Sequence, residues 1–250
     1  MRRLGIALAA LLCLGASKPE LVPDVSDRQV RIIYSFTGAD LLLFGAILYP
    51  GGRVPAHPAD VAVVLKGPTQ SVLVREKQRV AGMWLNADSA RFRSAPSFYA
   101  IATSQPLAKL VDQRTAAIYE LGLDSLQMSP ASGEVPEAQK RFESGLIGLK
   151  QRTGLYVNDP HGVEISGGVL YRARIAIPAR VPIGRYVAET FLIQDGKVVA
   201  GAVREVRIDK SGFERFVADA ARRWSVLYGL VAVAVSLLIG WGAGALFRRN

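Results

Sequence analysis

Cysteine is nearly absent from this chain: Cys13 is the one example among 250 residues, and there are only two histidines, His57 and His161. One thiol excludes a disulfide scaffold and a multi-thiolate metal site. Two imidazoles leave little room for a histidine-built metal centre. Acidic charge is in deficit, with 21 Asp plus Glu against 31 Lys plus Arg and a formal net charge of +10. Catalytic signatures are missing as well. There is no Gly-x-Ser-x-Gly elbow, no P-loop, no dinucleotide fingerprint after a strand and no His-Glu-x-x-His helix. The expectation is a protein that is not an enzyme and holds no cofactor. A disordered chain is excluded too, because apolar residues make up 50% of this one, far more than disorder tolerates. The length suits one or two domains with a real core.

What is present begins at the N-terminus. Arg2 and Arg3 precede the apolar run Leu4 to Leu14, and Gly15-Ala16-Ser17 offers small residues for cleavage. This is the pattern of a secretory signal peptide over residues 1–17, with an uncleaved anchor as the alternative. Leu11-Leu12 before Cys13 does not make a lipobox, which wants a small residue there. Cleavage near Ser17 would leave no thiol, as suits an oxidising compartment.

Near the C-terminus, Val226 to Phe247 is 22 residues without a charge. At ~1.5 Å per residue it reaches about 33 Å, enough for one transmembrane helix over 226–247. Trp224, Tyr228 and Trp241 stand where aromatic belts lie. Arg222-Arg223 and Arg248-Arg249 balance each other, so the signal peptide sets orientation. Residues 18–209 are therefore expected in the periplasm, with a cytoplasmic tail at 248–250 and the bacterial inner membrane as the location. Ser211 and Glu214 form a capping box for an amphipathic juxtamembrane helix over 210–225, striped by Phe213, Phe216, Val217, Ala220 and Trp224. The lipid bilayer is thus the first partner implied. Setting aside Arg2, Arg3, Arg248 and Arg249 lowers the net charge from +10 to +6, which anionic headgroups explain. Nucleic acid is not expected, since no basic stripe is interleaved with aromatics.

The exported part reads as mainly β with α: an immunoglobulin-like β-sandwich carrying an inserted helical hairpin. Val30, Ile32, Tyr34 and Phe36 alternate with a period of two. Leu41-Leu42-Leu43-Phe44 is dense enough for a strand covered on both faces. Asp60–Lys66 and Ser71–Glu76 are expected to pair as a hairpin through Gly67-Pro68-Thr69-Gln70. Short strands at Val80–Leu85 and Phe98–Ala102 follow. The period then changes over about 104–153. Leu107, Leu110, Val111, Ile118 and Leu121 mark one helix; Phe142, Leu146 and Leu149 mark a second, ended by Gly154. The pair is expected to cover a face or an edge of the sheet. Val169–Ile177, Gly184–Gln194 and Lys197–Ile208 return to β, and Asp195-Gly196 is a strong hairpin turn.

Three groups of residues merit weighing as sites. Asp159, His161 and Glu164 have the donor types for a divalent cation, although Asn158-Asp159-Pro160-His161-Gly162 is good turn chemistry by itself. Ala232, Ser236, Gly240 and Gly244 recur every four residues, the small-x-x-x-small pattern of close helix packing in lipid. Their expected partner is a second copy or another membrane protein. Trp84, Phe92, Phe98 and Tyr99 form an aromatic set. Trp84, Phe98 and Tyr99 would make a binding surface if exposed and a sandwich core if buried.

The whole layout resembles a family of transmembrane proteins of alphaproteobacteria, built from a signal, an exported domain and one C-terminal span. The resemblance rests on Leu21-Val22-Pro23-Asp24-Val25-Ser26, Phe36-Thr37-Gly38 with Phe44-Gly45, and Trp84-Leu85-Asn86. Pro96-Ser97-Phe98-Tyr99 and Pro182-Ile183-Gly184-Arg185-Tyr186 complete it. It implies no activity. It does imply company, because such proteins are often encoded near permeases of the sulfite-exporter type. The functional expectation is an accessory or interaction partner of another membrane protein such as a transporter. The rivals are a periplasmic ligand-binding or sensor module, with an unknown small molecule, and a metal-dependent periplasmic enzyme using His161.

Overall fold

The computed structural model describes residues 19–32, 38–130, 136–210 and 221–247. The signal peptide, Ile33, Tyr34 and Phe36, residues 211–220 of the juxtamembrane helix and the tail 248–250 lie outside the described residues. In chain order the strands are β1 (Glu20–Val25), β2 (Gln29–Ile32), β3 (Gly38–Leu48), β4 (Asp60–Lys66), β5 (Thr69–Val80), β6 (Met83–Pro96) and β7 (Tyr99–Thr103). They continue as β8 (Ser129–Pro130), β9 (Tyr156–Asp159), β10 (Val163–Ser166), β11 (Leu170–Pro178), β12 (Gly184–Gln194) and β13 (Lys197–Lys210). The helices described are α1 (Leu107–Leu110), α2 (Gln113–Ile118), α3 (Pro136–Arg152) and α4 (Ser225–Phe247).

The expectation of a mainly β protein holds. The sequence of β4 places five apolar residues, Val61 to Leu65, between Asp60 and Lys66, and all five are fully buried. A strand apolar on both faces belongs at the centre of a covered sheet. Accordingly β4 pairs antiparallel with β12 on one side and β7 on the other. The sheet runs β2-β13-β12-β4-β7-β9. A second sheet runs β1-β3-β11-β10, and its β10 and β11 pack on β4 and β7. Along β11, Tyr171, Ala173, Ile175 and Ile177 are buried while Arg172 and Arg174 face solvent. That clean alternation fits a sheet with one covered face.

Three strand expectations need correction, and the first is that Val80–Leu85 is not one strand but straddles the turn between β5 and β6. Asp60–Lys66 and Ser71–Glu76 are both strands, but they do not pair with each other. β5 pairs with β6 in a third sheet, completed by β8. The reason is that β4 needs ladders and cover on both sides, so the chain leaves that sheet after Gly67-Pro68. The β5–β6 turn is Ala81-Gly82, with φ of +50° and +86°, the left-handed pair that a two-residue hairpin requires. Likewise, β3 is covered on one face only. Leu41, Leu43 and Ile47 are buried, whereas Phe44 and Leu48 are exposed. The hairpin expected at Asp195-Gly196 is present, joining β12 to β13 with φ of +51° and +76°.

The expected αα-hairpin is also corrected. β7 and β9 are parallel neighbours, and parallel strands demand a crossover. Residues 104–155 are that crossover. Its first half breaks into two short helices at Val111-Asp112, because Asp112 caps α2 by accepting the Thr115 N–H at 2.8 Å. Hydrogen bonding from the Thr115 side chain, and then from its backbone N–H, holds the Asp112 carboxyl below its ordinary pKa. Its second half keeps the expected helix. Phe142 and Leu146 of α3 are buried with Ala90, Phe92 and Ala95 at the base of the β5–β6 hairpin, while Leu149 is half exposed.

The chain divides into two units, the β-rich domain ending at Ile208 and a second that contains α4. α4 is 23 residues long and carries no charge. Its side chains are described continuously only as far as Trp241, and over the residues so described no helix is long and apolar enough to cross a membrane.

Within the domain, Gly45 stands opposite Tyr171 across β3 and β11. A Cβ there would lie 2.4 Å from the Val22 carbonyl oxygen and 2.7 Å from the Tyr171 hydroxyl. Gly45→Ala should lower stability by about 1–3 kcal/mol through overpacking. The check is the urea unfolding midpoint; an unchanged midpoint would mean that β1 yields freely.

Candidate functional site

The most strongly organised ionisable group is Lys66, at the end of β4. Its Nζ lies 2.8 Å from Glu120 Oε2 and 2.9 Å from Glu189 Oε2. Glu189 comes from the neighbouring strand β12. Glu120 comes from the crossover and sits in the left-handed region, at φ +51°. The Tyr99 hydroxyl fixes that turn, donating to the Glu120 carbonyl at 2.7 Å and accepting from Gly122 N–H at 2.9 Å. Burial disfavours the Lys66 ammonium, but the two carboxylates outweigh it and hold its pKa above the ordinary value. Burial also raises Tyr99 and Tyr156, and it pushes Tyr186 up to about 12. Each carboxylate pairs with the cation through one oxygen, so this arrangement is a clamp.

Among the described residues, three surface cavities bear on function. One of about 460 Å³ is lined by His57, Asp60, Gln105, Gln194 and Asp195 among others. Asp60 is not free there as a base, because its Oδ1 accepts Ser104 Oγ at 2.7 Å and Gln105 Nε2 at 3.0 Å. A groove of about 690 Å³ runs beside α1 and α2, with Val111, Ala116, Leu121 and Ile147 below and Asp112, Asp124 and Gln151 at its rim. The third, about 320 Å³, lies between β5 and α3.

The residues singled out from sequence separate. Asp159 turns inward on its own loop, its Oδ1 accepting the backbone N–H of His161 at 3.1 Å. Glu164 lies on β10 and binds Arg172 Nε at 2.7 Å. The cation set Asp159, His161 and Glu164 is therefore corrected: the arginine occupies one ligand and the local turn another. Among the described residues no group of three or more His, Cys, Asp or Glu side chains converges. The aromatic surface is corrected in part. Phe98 and Tyr99 are 0% exposed and belong to the core, whereas Trp84 is 68% exposed. Trp84 stands at the β5–β6 turn beside Val80, Met83 and Leu85, all exposed. Sequence reading missed those neighbours as a surface, because Val80–Leu85 looked like an ordinary strand. The one signal was the tryptophan itself. In α4, Ser236 Oγ donates to the Ala232 carbonyl at 2.9 Å. A Cβ at Gly240 or Gly244 would meet nothing within 4 Å.

These features define a class: a mainly β protein that also carries an uncharged, exposed helix. The chain belongs to the family described as "Putative transmembrane protein (Alph_Pro_TM)", which matches residues 20–249. The family's name supports a membrane protein and implies an alphaproteobacterial origin, in line with the resemblance drawn from the sequence. Comparison with curated proteins finds no match.

Two outcomes test the clamp. Lys66→Met would leave two carboxylates without their cation and should cost about 2–4 kcal/mol in unfolding free energy. A loss below about 0.5 kcal/mol would reduce the clamp to an ordinary surface pair. The pH dependence follows from the same groups. Lys66, Tyr99, Tyr156 and Tyr186 all titrate higher in the folded than in the unfolded chain. Their contribution is complete below the unfolded values near 10 and is lost as pH rises through the folded ones. These groups should therefore make stability fall above about pH 10. Urea midpoints across that range check it, and a flat profile through strong base would overturn it.

Proposed function

We propose that this chain is a single-pass inner-membrane protein whose exported, non-catalytic domain serves another membrane protein as an accessory or interaction partner. In this reading α4 crosses the bilayer once, and the β-rich domain lies in the periplasm. The observation that carries it is α4 itself. The helix has 23 residues and no charge, and its described side chains are exposed along their whole run. Counted through Phe247, about 34 Å of apolar rod matches the hydrocarbon core and is poorly suited to water. Family membership supports the same placement.

The partner reading rests on one edge of that helix. Ala232, Ser236, Gly240 and Gly244 leave it low and open, and the Ser236 hydroxyl is satisfied within the helix. Lipid is as apolar as the side chains, so helices associate there by close packing, which such an edge permits. A transporter is the natural occupant, and the resemblance of the sequence points to a sulfite-exporter-type permease. The domain reads as an immunoglobulin-like sandwich. In support, the Tyr186 hydroxyl donates to the Pro182 carbonyl four residues upstream at 2.7 Å, the geometry of a tyrosine corner.

A second reading, a ligand-binding or sensor module, is favoured by the groove beside α1 and α2. Its volume and its apolar floor with a polar rim suit a small molecule. In-membrane crosslinking followed by mild-detergent purification and mass spectrometry tests the first reading. A multi-span protein should come with the native chain and be reduced about tenfold or more with Gly244→Leu, since a leucine there blocks close packing. Equal recovery with both chains would overturn the role of this edge, and would turn effort to ligands for the groove.

A further inference from the structure

We infer that the tip of the β5–β6 hairpin is an anchor for anionic lipid, by which the exported domain rests on the membrane surface. β5 and β6 are long strands, and α3 covers only their base. From Lys77 to Ser89 every residue is exposed, so both faces of the ribbon stand clear of the domain. A hairpin surrounded by water should be polar on both faces. This one is not: Val80, Met83, Trp84 and Leu85 are 47%, 63%, 68% and 47% exposed.

The register sorts the tip into two faces. Val80 stands opposite Met83 and Gln78 opposite Leu85, which puts an apolar cluster on one face. Arg79 stands opposite Trp84 and Lys77 opposite Asn86, which puts the indole on the other face together with two cations. From Lys77 to Ala87 there is no acidic residue. The nearest carboxylates, Glu76 and Asp88, are themselves register partners. Arg141 of α3 pairs with both, at 3.1 Å from each, and offsets one of their two charges. The acids are thus held down at the base of the hairpin, and the tip presents only positive charge. Apolar side chains that enter the acyl boundary, an indole at headgroup depth and Lys/Arg beside it form the standard set for interfacial attachment. Charge complementarity selects anionic over neutral lipid, at about fivefold per cation near the surface.

This inference rests on the reading that α4 spans the bilayer, which brings the domain within reach of headgroups. The test uses the full chain with Cys13→Ser and Met83→Cys, labelled at the new thiol with a polarity-sensitive fluorophore. It is reconstituted into vesicles of phosphatidylcholine, alone or mixed with phosphatidylglycerol. Flotation after carbonate washing reports on α4 separately, and a chain that fails to float would sink the spanning reading, not the tip. For floating protein, the expected result in anionic vesicles is a blue-shifted label, quenched by lipid-borne spin labels and shielded from iodide. Lys77→Glu with Arg79→Glu should reverse it at least tenfold in the shielded-to-exposed ratio, about fivefold for each cation. A label placed instead by Lys197→Cys, on the β12–β13 hairpin, should stay open to iodide. A Met83→Cys label that iodide reaches equally in both vesicle types would overturn the proposal. So would equal shielding in both, which removes the charge selectivity. Shielding that appears only when membrane proteins are added would assign the tip to a protein partner and overturn the lipid.

Discussion

Strand β4 is the constraint on which the rest of the domain depends. Five fully buried apolar residues lie between one acid and one base, so its register has a single solution. Sliding the strand by one position would bring Asp60 or Lys66 into the dry interior, where an uncompensated charge is costly. Each end is then met by a specific partner. Ser104 and Gln105 receive Asp60, while Glu120 and Glu189 receive Lys66. Three of these four partners come from the crossover between β7 and β9. The charges at the ends of one strand therefore dock the segment that carries the helices.

That docking explains why the domain has its irregular side. The crossover must travel from the end of β7 to the start of a parallel neighbour, and it does so with two short helices, a strained turn at Glu120 and the longer α3. Tyr99 joins the buried sheet to this turn through its hydroxyl. α3 in turn closes the base of the β5–β6 hairpin with Phe142 and Leu146. The hairpin's length beyond that cover exposes Trp84, which shares a short sequence with residues of the core yet stands outside it. Anchorage at the base and exposure at the tip are thus consequences of how far α3 reaches.

Part of the candidate site was legible beforehand. The uncharged run Val226–Phe247 announced α4, because no charge interrupts it and helical length follows from residue count. Asp195-Gly196 announced its hairpin, since few residue pairs accept two left-handed conformations. Other features were not legible. Trp84, Phe98 and Tyr99 are chemically alike, and aromatic side chains serve a core as well as a surface. Glu164 reads as a cation ligand until Arg172, eight residues on, turns out to be its cross-strand partner. The pairing of β5 with β6 was hidden because strand type is local while partner choice is not.

The sequence by itself determined the mainly β character, the positions of most strands, the helical turn pattern of α3 and the uncharged helix near the C-terminus. These follow from periodicity, turn residues and the absence of charge, all of them properties of neighbours along the chain. Only the tertiary structure decided that β4 is central, that residues 104–155 form a crossover, that Lys66 clamps Glu120 to Glu189, and that the hairpin tip stands clear. Those outcomes depend on residues tens of positions apart competing for the same cover and the same counter-charges, and that competition is settled only when the whole domain packs.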